Sequence, residues 1–320
     1  MSVTTLNLEI KKPSSRALAF RGTVGGAYSV YVKNALLTVL TLGLYWPWAR
    51  VEILKYFYGH TELDGDRFAF HGNGRELLPG WLKVGAILIP LYLVTRFSDS
   101  PLWGFLFFGV VLLLVPFAIV GSRRYRMSRT SWRGIRFSFR GRASDFAKLF
   151  LRGVLFAVLS LGLYYPYFHS NVRKFLIDHT YFGTRRFEYY GDGSALRDRY
   201  LLTLLLFLPT FGLYWFWFAA ARERYYWSHT LFGDARFSSD VTGRELWNLK
   251  AANGFLLGLT YGLAWPWTKV RKIRFIFENR ALDGPLDLEA IQQEAQAASA
   301  TGEGLADMLD IGPLDFDLGI

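Results

Sequence analysis

The sequence predicts an all-α polytopic membrane protein of about six transmembrane helices, built from a repeated unit with small β elements in its loops. Three observations predict it. Hydrophobic residues make up 52% of the 320 and gather in six long blocks instead of an even amphipathic pattern. Acidic residues are missing from every block. A motif recurs at fixed spacing along the chain.

The blocks fall at 31–49, 81–95, 101–121, 149–168, 200–221 and 251–268. A helix rises about 1.5 Å per residue, so about 20 apolar residues cross a hydrocarbon core of about 30 Å. The third, fourth and fifth blocks have that length and the others fall at its short end. Lys33, Lys83, Arg96 and Arg152 lie at or near block ends, where long basic stems reach the interface. Pro90, Pro116 and Pro209 lie inside blocks, as membrane helices tolerate. Residues 1–30 lack the apolar core of a cleavable signal peptide, so the first block is expected to act as its own insertion signal. With no cysteine, disulfides, thiolate metal sites and cysteine nucleophiles are excluded.

The repeat is seen in TLGLYWPW (41–48), SLGLYYPY (160–167), TFGLYWFW (210–217) and TYGLAWPW (260–267). His60-Thr61 recurs as His179-Thr180 and His229-Thr230, and Arg67-Phe68 recurs as Arg186-Phe187 and Arg236-Phe237. A degenerate copy has Pro116, Arg129-Thr130 and Arg136-Phe137. Later units are spaced by 50 residues, while the first interval is 69, longer by one extra membrane helix. Units are placed near 20–80, 101–141, 149–199, 200–250 and 251–284, within one membrane domain over 1–280.

Each part of the unit has a physical reading. Tyr45, Trp46, Pro47 and Trp48, with Tyr164, Pro166, Tyr214, Trp215, Trp217, Trp265, Pro266 and Trp267, are expected to form an aromatic belt where helices leave the hydrocarbon. Gly43, Gly162, Gly212 and Gly262 are expected to permit close helix approach. The basic, aromatic stretches after the motif suit an anionic headgroup layer. The closing RFAFHG, RFSFRG and RFEYYG read as a short strand and turn.

The leading Phe-x-Gly (Phe20–Gly22, Phe139–Gly141), the LGLYWPW run, the His-Thr pair and Arg-Phe-x-Phe-x-Gly together resemble the YjgN family of bacterial inner-membrane proteins, a family of unknown function. The resemblance covers nearly the whole chain. It implies a polytopic protein of the bacterial inner membrane and supplies no activity, cofactor or catalytic residue.

Formal charge is +11, yet residues 281–320 hold nine acidic residues and no Lys or Arg. The basic residues of the body flank membrane blocks, which points to anionic phospholipid headgroups as partners and not to nucleic acid. The tail reads as flexible, with docking on the chain's own basic loops as the sharper alternative. A second copy of the chain is a further candidate partner.

Topology has two readings. In the preferred one all six blocks cross and equivalent loops face opposite sides, as in pseudo-symmetric transporters. In the other, the first, fourth, fifth and sixth blocks enter and return, and every Arg-Phe loop shares one face where the strands can pair. The segment 122–148, with nine Lys/Arg and one acid, favours a cytoplasmic location.

Histidine is the one obvious candidate for chemistry. A metal or acid–base site from His60, His179 and His229 competes with a polar capping role, which the replacement by Arg129 and Asn279 favours. No enzyme activity and no cofactor is expected. Asn34, Thr41, Thr210, Asn253 and Thr260 are candidate polar contacts within the membrane. They suit transport or a channel for an uncharged or amphipathic solute. The alternative is a lipid-interacting or scaffolding membrane protein whose basic aromatic loops bind anionic headgroups.

Overall fold

The computed structural model describes residues 16–285 and Ile291. Within them the strands do not stay in separate loops; they join into one closed antiparallel barrel. Strand β1 (Arg16–Phe20) precedes a helix pair, α1 (Val24–Leu40) and α2 (Trp46–Gly59), and a strand hairpin, β2 (Thr61–Leu63) and β3 (Asp66–Phe70). The same order follows in α3 (Gly74–Phe97), α4 (Leu102–Arg129), β4 (Thr130–Trp132) and β5 (Ile135–Phe139). Next come α5 (Ala143–Leu159), α6 (Tyr165–Asp178), β6 (Thr180–Phe182) and β7 (Arg185–Tyr189). Then follow α7 (Ser194–Phe207), α8 (Tyr214–Ser228), β8 (Thr230–Phe232) and β9 (Ala235–Ser239). The last elements are α9 (Gly243–Leu259), α10 (Trp265–Glu278) and β10 (Arg280–Asp283).

Each strand pairs with its neighbours in the chain, and β10 returns to β1, so no strand edge is left open. The register brings one apolar layer inward: Leu18 lies opposite Leu63, Phe68 opposite Trp132, Phe137 opposite Phe182, Phe187 opposite Phe232 and Phe237 opposite Leu282. Rings stack around this layer, Phe68 on Phe137 at 6.3 Å, Phe137 on Phe187 at 6.4 Å and Phe187 on Phe237 at 6.3 Å. Strand alternation explains the Arg-Phe pairs: Phe187 is buried in the barrel while Arg67, Arg186 and Arg236 face outward. Ile291 is buried in the same aromatic cluster. The rest of the acidic tail, beyond Pro285, lies outside the described residues.

The helices form a second closed ring, each packed on its chain neighbours and α10 packed on α1. Because a helix pair joins β1 to β2, β3 to β4, β5 to β6, β7 to β8 and β9 to β10, every pair leaves the barrel and returns to it. This overturns six plain crossings. The blocks 31–49, 149–168, 200–221 and 251–268 are each the middle of a helical hairpin, cut in two by a left-handed turn. Leu42 and Gly43 have φ of 50° and 92°, and Leu161–Gly162, Phe211–Gly212 and Tyr261–Gly262 repeat the pattern. The glycine serves this turn and not close helix packing: an added Cβ at Gly43 meets nothing nearer than Trp81 at 3.9 Å, and at Gly262 nothing within 4 Å. Pro47, Pro166 and Pro266 then start the returning helix, where a missing N–H costs nothing.

Among the described residues two helices have the length and apolar character to cross a membrane, Gly74–Phe97 and Leu102–Arg129, corresponding to the second and third blocks. Their apolar side chains face outward, with Ile89, Phe105 and Phe108 exposed, unlike the core helices of a water-soluble fold. The other eight have 14 to 17 residues, short of a full crossing. The described residues therefore form a ten-helix ring with two candidate spans beneath a ten-stranded barrel, in place of an all-α six-span bundle.

Candidate functional site

The His-Thr pairs sit where each returning helix meets the barrel. His60 Nδ1 lies 2.7 Å from the Tyr56 carbonyl, His179 Nδ1 2.7 Å from that of Phe175 and His229 Nδ1 2.7 Å from that of Tyr225. Asn279 Nδ2 donates to the Phe275 carbonyl at 2.8 Å in the last unit. The neighbouring Thr61, Thr180 and Thr230 hydroxyls donate to carbonyls one turn back, at 2.9, 2.7 and 2.8 Å. Both residues therefore satisfy carbonyls that a helix end leaves open. Among the described residues no three His, Asp or Glu side chains are grouped to hold a metal.

The aromatic motif lies at the far end, at the hairpin tips. Tyr45 stacks near Trp48 at 6.1 Å and Tyr214 near Trp217 at 6.4 Å. Trp215 packs on Phe218 at 5.6 Å, while Arg271 lies over Trp267 and Lys269 over Trp265. Thr41, Thr210 and Thr260 close the tips: each hydroxyl donates to the carbonyl four residues back and accepts from the backbone N–H of Tyr45, Tyr214 or Ala264, where the next helix begins. Asn34 Nδ2 donates to the Val30 carbonyl and to Glu52, and among the described residues the side-chain oxygens of both Asn34 and Asn253 are buried without a hydrogen-bond partner.

Side-chain exposure at the tips is extreme. Leu42 is 94% exposed, Leu161 92%, Phe211 96% and Tyr261 97%. The tip of the longer α3–α4 hairpin is instead polar, Ser98-Asp99-Ser100.

A charged set at the helix–barrel junction, two buried arginines and a half-buried glutamate, escaped the sequence reading. Arg123, Arg173 and Glu223 occupy the same slot in successive units, 50 residues apart. Arg123 donates to Thr180 Oγ1 at 3.2 Å. Glu223 accepts from Arg280 and from Trp227 Nε1, the latter at 2.7 Å. Arg173 is fully buried and its guanidinium makes no hydrogen bond among the described residues; it lies 4.9 Å from both the Tyr226 and Trp227 ring centroids. Burial lowers its pKa from the ordinary arginine value, while the Glu223 charge and the π faces of Tyr226 and Trp227 supply attraction without a hydrogen bond. The 50-residue spacing of three ionisable residues was the signal available in the sequence.

Residues 15–222 and 198–308 match the family model described as a bacterial protein of unknown function, DUF898. The chain belongs to the DUF898 family. Its relatives include the inner membrane protein YjgN of Salmonella typhimurium, 33% identical over 130 residues, or 40% of this chain and 32% of that protein. YjgN of Escherichia coli O157:H7 is 34% identical over 125 residues, 39% of this chain and 31% of that protein. YjgN of Escherichia coli K12 is 33% identical over 125 residues, with the same coverage. The aligned segment thus spans about a third of the length of the curated relatives. No solved structure matches. This DUF898 chain is a bacterial inner-membrane protein.

Proposed function

We propose that this DUF898 protein is a lipid-interacting membrane protein. Its barrel stands in the cytoplasm, the α3–α4 hairpin spans the bilayer, and the four shorter hairpins insert their tips into the adjoining leaflet. The observation that carries this reading is the match between tip chemistry and hairpin length. The four short hairpins end in exposed Leu42, Leu161, Phe211 and Tyr261, and the one long hairpin ends in Ser98-Asp99-Ser100. From Lys33 to Leu42 the helix rises about 14 Å, close to half a hydrocarbon core of about 30 Å. Each tip leucine gains about 1.5–3 kcal/mol on leaving water, so the tips have reason to stay in lipid.

Charge supports the orientation. With every unit returning to the barrel, the basic segment 122–148 lies on the barrel side, and Arg96 stands alone near a tip. Basic side chains around the hairpins then meet the headgroup layer, each contributing about 1 kcal/mol toward an anionic surface. Alternating access between pseudo-symmetric halves needs equivalent loops on opposite sides, an arrangement that one closed barrel does not offer. The histidines are engaged with their own helices, so no catalytic role is proposed for them.

The test is depth. A fluorophore on Leu161→Cys or Phe211→Cys, in vesicles carrying lipids brominated along the acyl chain, is quenched most by bromines near the bilayer centre. Quenching by aqueous iodide on either side would overturn the reading.

A further inference from the structure

The first and third hairpins carry the same framework with one difference in charge. In the first, Lys33 reaches Glu52 at 3.2 Å. Glu52 also accepts from Asn34 at 3.1 Å and from the Tyr45 hydroxyl at 3.3 Å. A carboxylate thus sits between α1 and α2, held by a cation, an amide and a phenol. The corresponding positions, 119 residues on, are Arg152, Gly153, Tyr164 and Asn171. The cation and phenol are kept, the carboxylate becomes a neutral amide, and an asparagine side chain is removed.

What the exchange leaves is a groove of about 450 Å³ between α5 and α6, lined by all four of these residues with Lys148 and Asp145. That volume is in the range of small-ligand sites, about 300–1,000 Å³. Gly153 keeps it open by letting Phe168 lie close: an added Cβ would come within 2.1 Å of that ring. Lys148 and Arg152 are one helical turn apart, exposed, and without an ion pair among the described residues. Lys148, Arg152 and Asp145 together carry one net positive charge. Below Arg152 on the same face, Leu155, Phe156 and Leu159 continue exposed toward the tip.

We propose that the α5–α6 groove binds a phospholipid, its phosphodiester held by Arg152 and Lys148 where the first hairpin holds the Glu52 carboxylate. Asn171 and Tyr164 are its neutral hydrogen-bonding partners, and an acyl chain follows Leu155, Phe156 and Leu159. The single negative charge of a phosphodiester balances the groove's single positive charge. Asp145, nearest the aqueous end of α5, faces the alcohol or ammonium beyond the phosphate. The site rests on the proposed insertion of the hairpins, which sets Arg152 about nine residues, or about 14 Å, above the tip at headgroup level.

The experiment measures binding of dioctanoyl phosphatidylglycerol, below its micellar concentration, to the full chain in detergent by titration calorimetry. Three variants are compared with the wild type. Asn171→Glu restores the carboxylate of the first hairpin, in a framework that already accommodates one, and is expected to weaken binding tenfold or more while the protein keeps its circular dichroism. Arg152→Gln and Lys148→Gln, both at exposed positions, are expected to weaken it at least fivefold. Unchanged binding in all three variants would overturn the proposal. So would inorganic phosphate competing at concentrations equal to the lipid, since the ligand would then be a soluble anion. The bromine-quenching depth of Leu161→Cys is measured alongside. Normal depth with unchanged lipid binding rejects the groove alone, whereas loss of depth rejects the insertion on which it rests.

Discussion

Phe187 and Phe232 face each other across β7 and β8 with ring centroids 4.4 Å apart. One ring comes from the unit that begins with α5 and the other from the unit that begins with α7, so this contact joins units inside the barrel. Phe187→Ala leaves a cavity in that layer. It is expected to lower unfolding free energy by about 3–5 kcal/mol, read as the midpoint of denaturant unfolding in detergent. Phe97→Ala, at a residue facing outward near the α3 end, is expected to leave the midpoint unchanged in the same assay.

Glu223, half-buried, pairs with the buried Arg280 and ties α8 to β10. Glu223 also accepts from the Trp227 indole and contributes the largest favourable charge to Arg173. Glu223→Gln therefore removes the carboxylate that faces the buried Arg173 and Arg280. The expected loss is about 3–5 kcal/mol, because breaking a buried pair strands its partner. Glu223→Gln combined with Arg280→Met should recover part of that loss; no recovery would show that the pair is not the source.

The His-Thr pairs cap helices, and their chemistry is interchangeable with asparagine at Asn279. Replacing His60, His179 and His229 by Asn should leave thermal stability nearly unchanged, while Ala at each should cost about 0.5–1.5 kcal/mol. Zinc added to the wild type should not shift its unfolding temperature. A zinc-dependent rise abolished by any one substitution would reassign these residues to a metal.

Single cysteines report orientation cleanly, since the chain has none of its own. Asp99→Cys at the polar tip, and Thr184→Cys and Asp234→Cys at barrel turns, are exposed positions. A membrane-impermeant thiol reagent should label Asp99→Cys in intact spheroplasts and the other two only after lysis. The reverse pattern would place the barrel outside the cytoplasm.

The local parts were legible and their assembly was not. Period-two alternation in RFSFRG marks β5, and Asp64-Gly65 marks a hairpin turn, with both residues at positive φ. Membrane character was also written in the blocks. Helix count was misread because an apolar block looks the same whether it crosses or turns back. What distinguishes the two is the Leu-Gly step at 42–43, where two residues with φ above zero end α1, and Thr41 and Pro47 prepare α2. A Gly in an apolar run reads equally as a packing notch, and only the geometry decides between them. Barrel closure depends on β1 meeting β10 from opposite ends of the chain, a pairing that no local pattern encodes. The buried arginines were hidden for a different reason: Arg173 looks like any basic juxtamembrane residue until Tyr226 and Trp227 are brought over it.

The central claim, that every unit returns to one barrel on one face, is tested most directly by a disulfide between units. Glu188 and Leu231 are opposite one another in the β7–β8 register. Directly paired antiparallel residues have Cα atoms about 4.5–5.5 Å apart, within disulfide reach. With Glu188→Cys and Leu231→Cys in one chain, mild oxidation in membranes should give a reducible intramolecular cross-link, seen as a gel shift at near-complete yield. If the helices simply crossed the membrane in turn, these two positions would lie on opposite sides of the bilayer, and failure to cross-link would contradict the barrel.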